Sequence, residues 1–213
     1  MNTWNLDKVR NDLSVAFKCN SEVKLLEVLK NNSFLFYPLY SRKGGIQPNF
    51  SEVSFAGEMK CDFVWLNDNS DGPEWVLVEI EKPQMRLFNQ NGDPSAELNH
   101  AIEQVKSWDR YFKENQNEKK RIFGAVSRFR LILVAGSRKD WQTESAIKWR
   151  VYHNNENRIE IRSCDIFHDA LELAINHFGS LWSFEENPIS LKNKNLKEYW
   201  ENYKYMDLFR KTF

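Results

Sequence analysis

Between Lys60 and Pro83 the chain reads KCDFVWLNDNSDGPEWVLVEIEKP. Two apolar runs, 61–66 and 75–81, flank a stretch rich in Asn, Asp, Gly and Pro, the pattern of two strands joined as a hairpin. The runs are apolar enough to be buried, yet Asp62, Glu79 and Glu81 sit where a core strand normally holds Val or Ile. Symmetry supplies a register: if the connection 67–74 folds about its midpoint, between Ser70 and Asp71, Asp62 stands opposite Glu79 and Lys60 opposite Glu81. Opposed side chains share a face with Cβ atoms ~5 Å apart, and alternation puts Glu81 on the face of Glu79. Lys60, Asp62, Glu79 and Glu81 therefore gather on one side, while Val76, Val78 and Ile80 point to the other.

Like charges so placed repel, and a buried carboxylate either takes up a proton or finds a cation. Geometry alone leaves two partners open. One is a hard divalent ion such as Mg²⁺, held by carboxylates and substrate phosphate oxygens. The other is a basic side chain, Lys60, Lys82 or an arginine from elsewhere, on a solvated face of the hairpin. A slip of one residue would scatter the cluster.

Around this hairpin the pattern mixes helices and strands. Residues 3–17 and 21–31 carry apolar side chains at helical spacing, the second segment opening on Ser21 as N-cap, and FSEVSF alternates as a strand. In DPSAELNHAIEQVKSWDRYFKEN, Asp93 serves as cap, Pro94 suits the first turn, and Leu98, Ile102, Val105 and Phe112 form an apolar stripe. Beside it Glu97, His100, Gln104, Trp108 and Tyr111 make a polar and aromatic stripe. FRLILVAGS is the continuous apolar run of a strand covered on both faces. WRVYH and RIEIRS around NNEN read as a second hairpin, and DIFHDALELAINHF as a helix capped by Asp165. From about Leu191 the aromatic tail reads as one helix. The expected fold is α/β (α+β): one domain, 1–213, with a central mixed sheet and flanking helices.

Composition excludes more than it identifies. Thirty basic and thirty acidic residues give no global field, so a polyanionic partner needs a local patch. EKKR (118–121), SRFR (127–130) and GSRKDW (136–141) offer one. No apolar stretch reaches the ~20 residues of a bilayer span, and the first residues lack a signal-peptide core, so the expected setting is cytoplasmic with no membrane partner. Three widely spaced cysteines suit reduced, buried thiols.

The succession Asp62, a spacer, Glu79-Ile80-Glu81-Lys82 and a helix carrying Gln104 is similar to the active-site pattern of the PD-(D/E)XK nuclease superfamily. In longer blocks, LLEVLKNNSFLF, CDFVWL, WVLVEIEKP and ELNHAIEQVKSWDRYF, then RIEIRSCDIFHDAL, the chain resembles the nuclease domain of Shedu-type anti-phage defence proteins over about residues 21–170. The resemblance implies a restriction-endonuclease-like fold that cuts DNA with Mg²⁺ or Mn²⁺, Asp62 and Glu79 being metal ligands. It makes Glu27 a further acid from the N-terminal helix and Gln104 an active-site residue. One position departs from the pattern: the slot two after Glu79 usually holds Lys and here holds Glu81, as in some restriction endonucleases, with Lys82 next.

Under this reading Glu81 is a third ligand or accepts the proton of the attacking water, and Lys82 or Lys60 brings positive charge to the phosphate. Alternation favours Lys60, while the resemblance favours Lys82. Two rivals remain: a nuclease-fold module that binds DNA or regulates without cutting, and a glycosidase built on a carboxylate pair. The apolar spacing of the tail also suits self-association into a homo-oligomer.

Overall fold

Two helices lead the chain, α1 (Leu6–Lys18) and α2 (Glu22–Asn31), each opened by the side chain before it. Asn5 accepts the Lys8 N–H at 3.0 Å and Ser21 that of Lys24 at 3.3 Å, satisfying amide groups that a helix start leaves unpaired. A 3₁₀ segment, Ser33–Leu39, leads to a meander of antiparallel strands: β1 (Asn49–Ala56), β2 (Met59–Asn69) and β3 (Gly72–Ile80). The computed structural model describes residues 4–41, 45–57, 59–156 and 158–213.

The β2–β3 register is the one expected from symmetry, with Phe63 opposite Val78, Leu66 opposite Trp75 and Asn69 opposite Gly72. Pairing runs further into the turn than the apolar runs suggest: Ser70 and Asp71 alone connect the strands, not residues 67–74. Every residue of β3 is buried. The physical reason is its place inside the sheet, whose order is β5-β4-β3-β2-β1-β6, with β4 at Arg128–Val134, β5 at Ile159–Arg162 and β6 at Leu191–Lys192.

After β3 the chain crosses through α3 (Ala96–Glu114) and α4 (Gln116–Phe123) to β4 (Arg128–Val134), which lies parallel to β3. Ser95, not Asp93, caps α3, its side chain accepting the Leu98 N–H at 3.1 Å. A short helix α5 (Arg138–Trp141) and α6 (Glu144–Glu156) then lead to β5 (Ile159–Arg162), parallel to β4.

The second hairpin expected at WRVYH and RIEIRS is therefore absent: WRVYH lies inside α6. Local β-branched and aromatic content suggested a strand, but parallel strands need a crossover, and this helix supplies it by packing Trp149 and His153 near Trp141. Next comes α7 (Ile166–Asn176), where Asp165 precedes the first turn but its carboxylate accepts the Arg138 N–H instead of capping.

The edge strand β6 (Leu191–Lys192) pairs with β1, and the tail forms two helices, α8 (Leu196–Asn202) and α9 (Lys204–Phe209), broken at Tyr203. The tail is docked on the chain's own core. Trp200 donates to the Ile122 carbonyl at 2.9 Å, and its ring occupies the space a Cβ on Gly124 would need. Gly124 also holds φ at +75°, so both space and backbone favour glycine there. Leu196, Trp200 and Met206 are buried, while Leu208 and Phe213 face outward.

Two apolar layers cover the sheet. Val64, Leu66, Trp75, Leu77 and Leu133 pack against α3 and the tail, while Phe63, Trp65, Val76, Val78 and Ile132 pack against α1, α2, the 3₁₀ segment and α7. The alternation along β2 and β3 thus feeds two cores, each buried side chain such as Phe63 or Trp75 contributing roughly 1.5–3 kcal/mol or more. Residues on the α3 side at the open end of the hairpin are the ones in question, because there the apolar series gives way to acids.

Candidate active site

Asp62 and Glu79 lie at that open end, 8% and 7% exposed. Alternation places Glu79 in line with Trp75 and Leu77, facing α3, where the Gln104 amide donates a hydrogen bond to Glu79 Oε1. Gln104 reaches it because it falls between Ala101 and Val105 on the α3 face that packs on the sheet. The other oxygen, Glu79 Oε2, is buried with no hydrogen-bond partner. Asp62 turns along the strand edge, and its Oδ2 accepts the Ile80 N–H at 2.8 Å, beyond the last regular pair at Phe63 and Val78.

The neighbouring backbone is also unusual. Glu52 lies across β1 from Asp62, between the pairs Ser51–Phe63 and Val53–Cys61, and holds φ at +54°, a left-handed conformation that costs a non-glycine residue roughly 1–2 kcal/mol. Its carboxylate pairs with Lys30 of α2 at 3.0 Å. Strain of this kind concentrates at functional sites.

Electrostatics show how poorly the acids are compensated. Burial raises the Asp62 carboxyl to about 6, against the stabilising Ile80 amide; Glu22 raises it further, while Lys60 and Lys30 oppose the shift. Burial first, then the charges of Asp62, Glu81 and Glu22, lift Glu79 well above the ordinary carboxylate range. Glu81, half-buried beyond the end of β3, rises to about 7 through burial and the charges of Glu22 and Asp62, with Lys82 acting in the other direction.

The acid that α2 contributes is Glu22, not Glu27. Glu27 is exposed and lies in a groove with Lys8, Asp12 and Lys24. The signal was present in the sequence: Glu22 precedes Leu25 and Leu29 by three and seven residues and so shares their core-facing stripe, whereas Glu27 is off it. Lys30, which also escaped the sequence reading, becomes visible only once β1 and α2 are seen together. Lys60 and Lys82 are both exposed; the charge of Lys60 acts on Asp62 and Glu79, that of Lys82 on Glu81. On α3, Trp108 is fully buried in the core, and Glu97 and His100 are exposed.

Among the described residues, no three His, Cys, Asp or Glu side chains are grouped so as to hold a metal ion. Asp62 and Glu79 still form a pair of hard oxygen donors, with Glu79 Oε2 unpartnered. A Mg²⁺ site of one or two carboxylates completed by substrate phosphate oxygens fits that donor set. No helix among the described residues is long and apolar enough to cross a membrane.

Residues 20–167 match the model of a family described as Shedu protein SduA, C-terminal. No curated protein matches the chain.

Proposed function

The chain belongs to the Shedu SduA C-terminal family, which supports a role in anti-phage defence, and on that premise we propose that it is a metal-dependent endonuclease hydrolysing DNA phosphodiester bonds. The observation that carries this reading is the uncompensated acid pair, Asp62 and Glu79, buried at the open end of a core hairpin with one carboxylate oxygen left unpartnered. A protein interior tolerates such a pair at a cost of several kcal/mol, and a function that needs the charge accounts for its presence.

Asp62 and Glu79 would hold Mg²⁺ or Mn²⁺. When bound there, the ion would lower the pKa of a water and neutralise charge on the scissile phosphate. Gln104 holds Glu79 Oε1 and so fixes the direction of Oε2. The Ile80 amide does the same for Asp62, leaving Oδ1 as the free donor. Glu81 stands beside the pair as the group to receive a proton from the nucleophile, and Lys60 is placed to bring positive charge towards Asp62 and Glu79.

A second reading keeps the fold and the DNA contact without cutting. It is favoured by Glu81 standing in the slot usually held by lysine and by the absence of a third converging ligand among the described residues. Incubation of linear and supercoiled DNA with Mg²⁺, Mn²⁺ or EDTA, beside Glu79→Ala, separates the two. Divalent-dependent cutting that disappears in the variant supports the nuclease. DNA retention with no cutting in any condition supports the binding module.

A further inference from the structure

Beyond Gln104, the C-terminal half of α3, α4, the end of α6 and the first residues of β4 and β5 line a cleft of about 680 Å³. Its walls carry Lys106, Arg110, Lys113, Lys119, Arg128 and Arg158, against two acids, Asp109 and Glu156. In a chain with equal numbers of basic and acidic residues, that imbalance is local and strong.

Several of these cations are already paired along α3 or from β4 to the hairpin, Lys113 with Asp109, Arg110 and Lys106 with Glu103, and Arg128 with Glu74 and Asp71. Lys119 and Arg158 make no ion pair among the described residues. Lys119 is half-buried, with its ammonium 5.5 Å from the centre of the Phe129 ring, and burial lowers its pKa. Arg158 sits on the lip with φ at +56°, immediately before β5. The one carboxylate whose charge acts on Lys119, Asp109, is already paired with Lys113, so the half-buried ammonium is open to a further anion.

We propose that this cleft binds the phosphodiester backbone of a nucleic-acid strand, with Lys119 and Arg158 as its anion contacts and Phe129 as an apolar floor. The inference deepens the nuclease reading and rests on it for the identity of the strand, which is the substrate of the acid site. Its placement follows from the helix. Gln104 and Lys113 lie nine residues apart on α3, about 13 Å at 1.5 Å per residue, which is on the order of four base steps of a duplex at ~3.4 Å each. Glu79, bonded to Gln104, and the cleft residues Phe112 and Leu131 lie on the α3 side of the sheet, so one strand running along α3 would meet both. The acids repel a backbone unless a cation is present, so a separate basic contact supplies the binding that the acid site lacks.

The test is the affinity of the intact chain for a 20-base-pair duplex in EDTA, where nothing is cut, across a range of salt concentrations. Lys119→Ala with Arg158→Ala is expected to weaken binding about tenfold and to flatten the logarithmic salt slope by about two, roughly 0.9 for each lost phosphate contact. Arg158→Ala alone, at an exposed position, is expected to show half of that slope change and guards against misfolding of the Lys119 variant. Arg10→Ala, on α1, is expected to change neither.

Wild-type affinity and slope in the Arg158 variant would overturn the proposal, as would an equal loss in the Arg10 variant. Competition by polyglutamate as strong as by DNA of equal charge would overturn it too, in favour of an acidic protein partner. Failure of the nuclease reading looks different: binding that depends on Lys119 and Arg158, with no cutting in Mg²⁺ or Mn²⁺.

Discussion

One hairpin buries two glutamates on the same strand, five residues apart, and treats them in opposite ways. Glu74, near the turn, accepts hydrogen bonds from the Asn67 amide at 2.7 Å and the Arg128 guanidinium at 2.5 Å, and these partners outweigh burial to hold its carboxyl below the ordinary range. Glu79, near the open end, has one hydrogen bond from Gln104, one oxygen with no partner, and three other acids acting on it. Both face a cross-strand polar residue in the same register, Asn67 for Glu74 and Asp62 for Glu79. Burial of a carboxylate therefore does not mark a site. What separates a structural acid from a candidate functional one is whether its charge is answered.

The comparison breaks most sharply on activity. Asp62→Ala and Glu79→Ala are each expected to reduce metal-dependent DNA cleavage by about 10³-fold or more, a loss on the order of 4 kcal/mol in the barrier, with the circular dichroism spectrum unchanged. Glu74→Gln is expected to leave cleavage intact. If Glu74→Gln abolished cutting in a folded protein, the division between the two acids would fail.

Metal binding gives the next effect. At pH 8, Mg²⁺ at 100 times its dissociation constant is expected to stabilise the wild-type fold by about 2.7 kcal/mol, and Glu79→Ala to remove that gain, read as the shift in Tm. An equal shift in the variant would move the metal elsewhere.

In the metal-free protein the two acids should give stability opposite pH dependences. Folding raises Asp62 to about 6 and Glu81 to about 7, and raises Glu79, so the folded state holds protons that the unfolded state has lost. Their contribution is fully present below the unfolded values near 4 and is lost as pH rises through the folded values, about 6 for Asp62 and about 7 for Glu81. Glu74, lowered by folding, contributes above its unfolded value and is lost in acid. Denaturant unfolding in EDTA from pH 4 to 8 is expected to show Glu79→Gln flattening the decline at high pH, and Glu74→Gln costing about 1–2 kcal/mol from pH 6 upward and less towards pH 4.

Smaller effects test the supporting residues. Gln104→Leu, which frees Glu79 Oε1, is expected to lower cleavage about tenfold while Glu79 stays in place. Glu22→Gln should move the high-pH decline in stability downward by a few tenths of a unit, because losing one partly screened like charge lowers the folded pKa values, and Glu27→Gln should move nothing. A shift from Glu27 and none from Glu22 would reverse the assignment of the α2 acid.

The sequence by itself determined the hairpin register, because side-chain alternation and a turn-rich connection leave one symmetric pairing that keeps both apolar series buried. That register was enough to bring Asp62 and Glu79 together, and the helical stripe was enough to offer Gln104. It also determined the mixed α/β character. The caps of α3 and α7 and the helix at 149–153 were beyond it, since WRVYH has local strand propensity and becomes helix only because β5 lies parallel to β4 and needs a crossover.

Only the tertiary structure decided which charges go unanswered. Glu74 finds Arg128 from a strand 54 residues away, Glu22 comes within reach of the acids when α2 packs on the sheet, and Lys30 is drawn to Glu52. Electrostatic compensation depends on distance and burial in three dimensions, and neither is a property of neighbours along the chain.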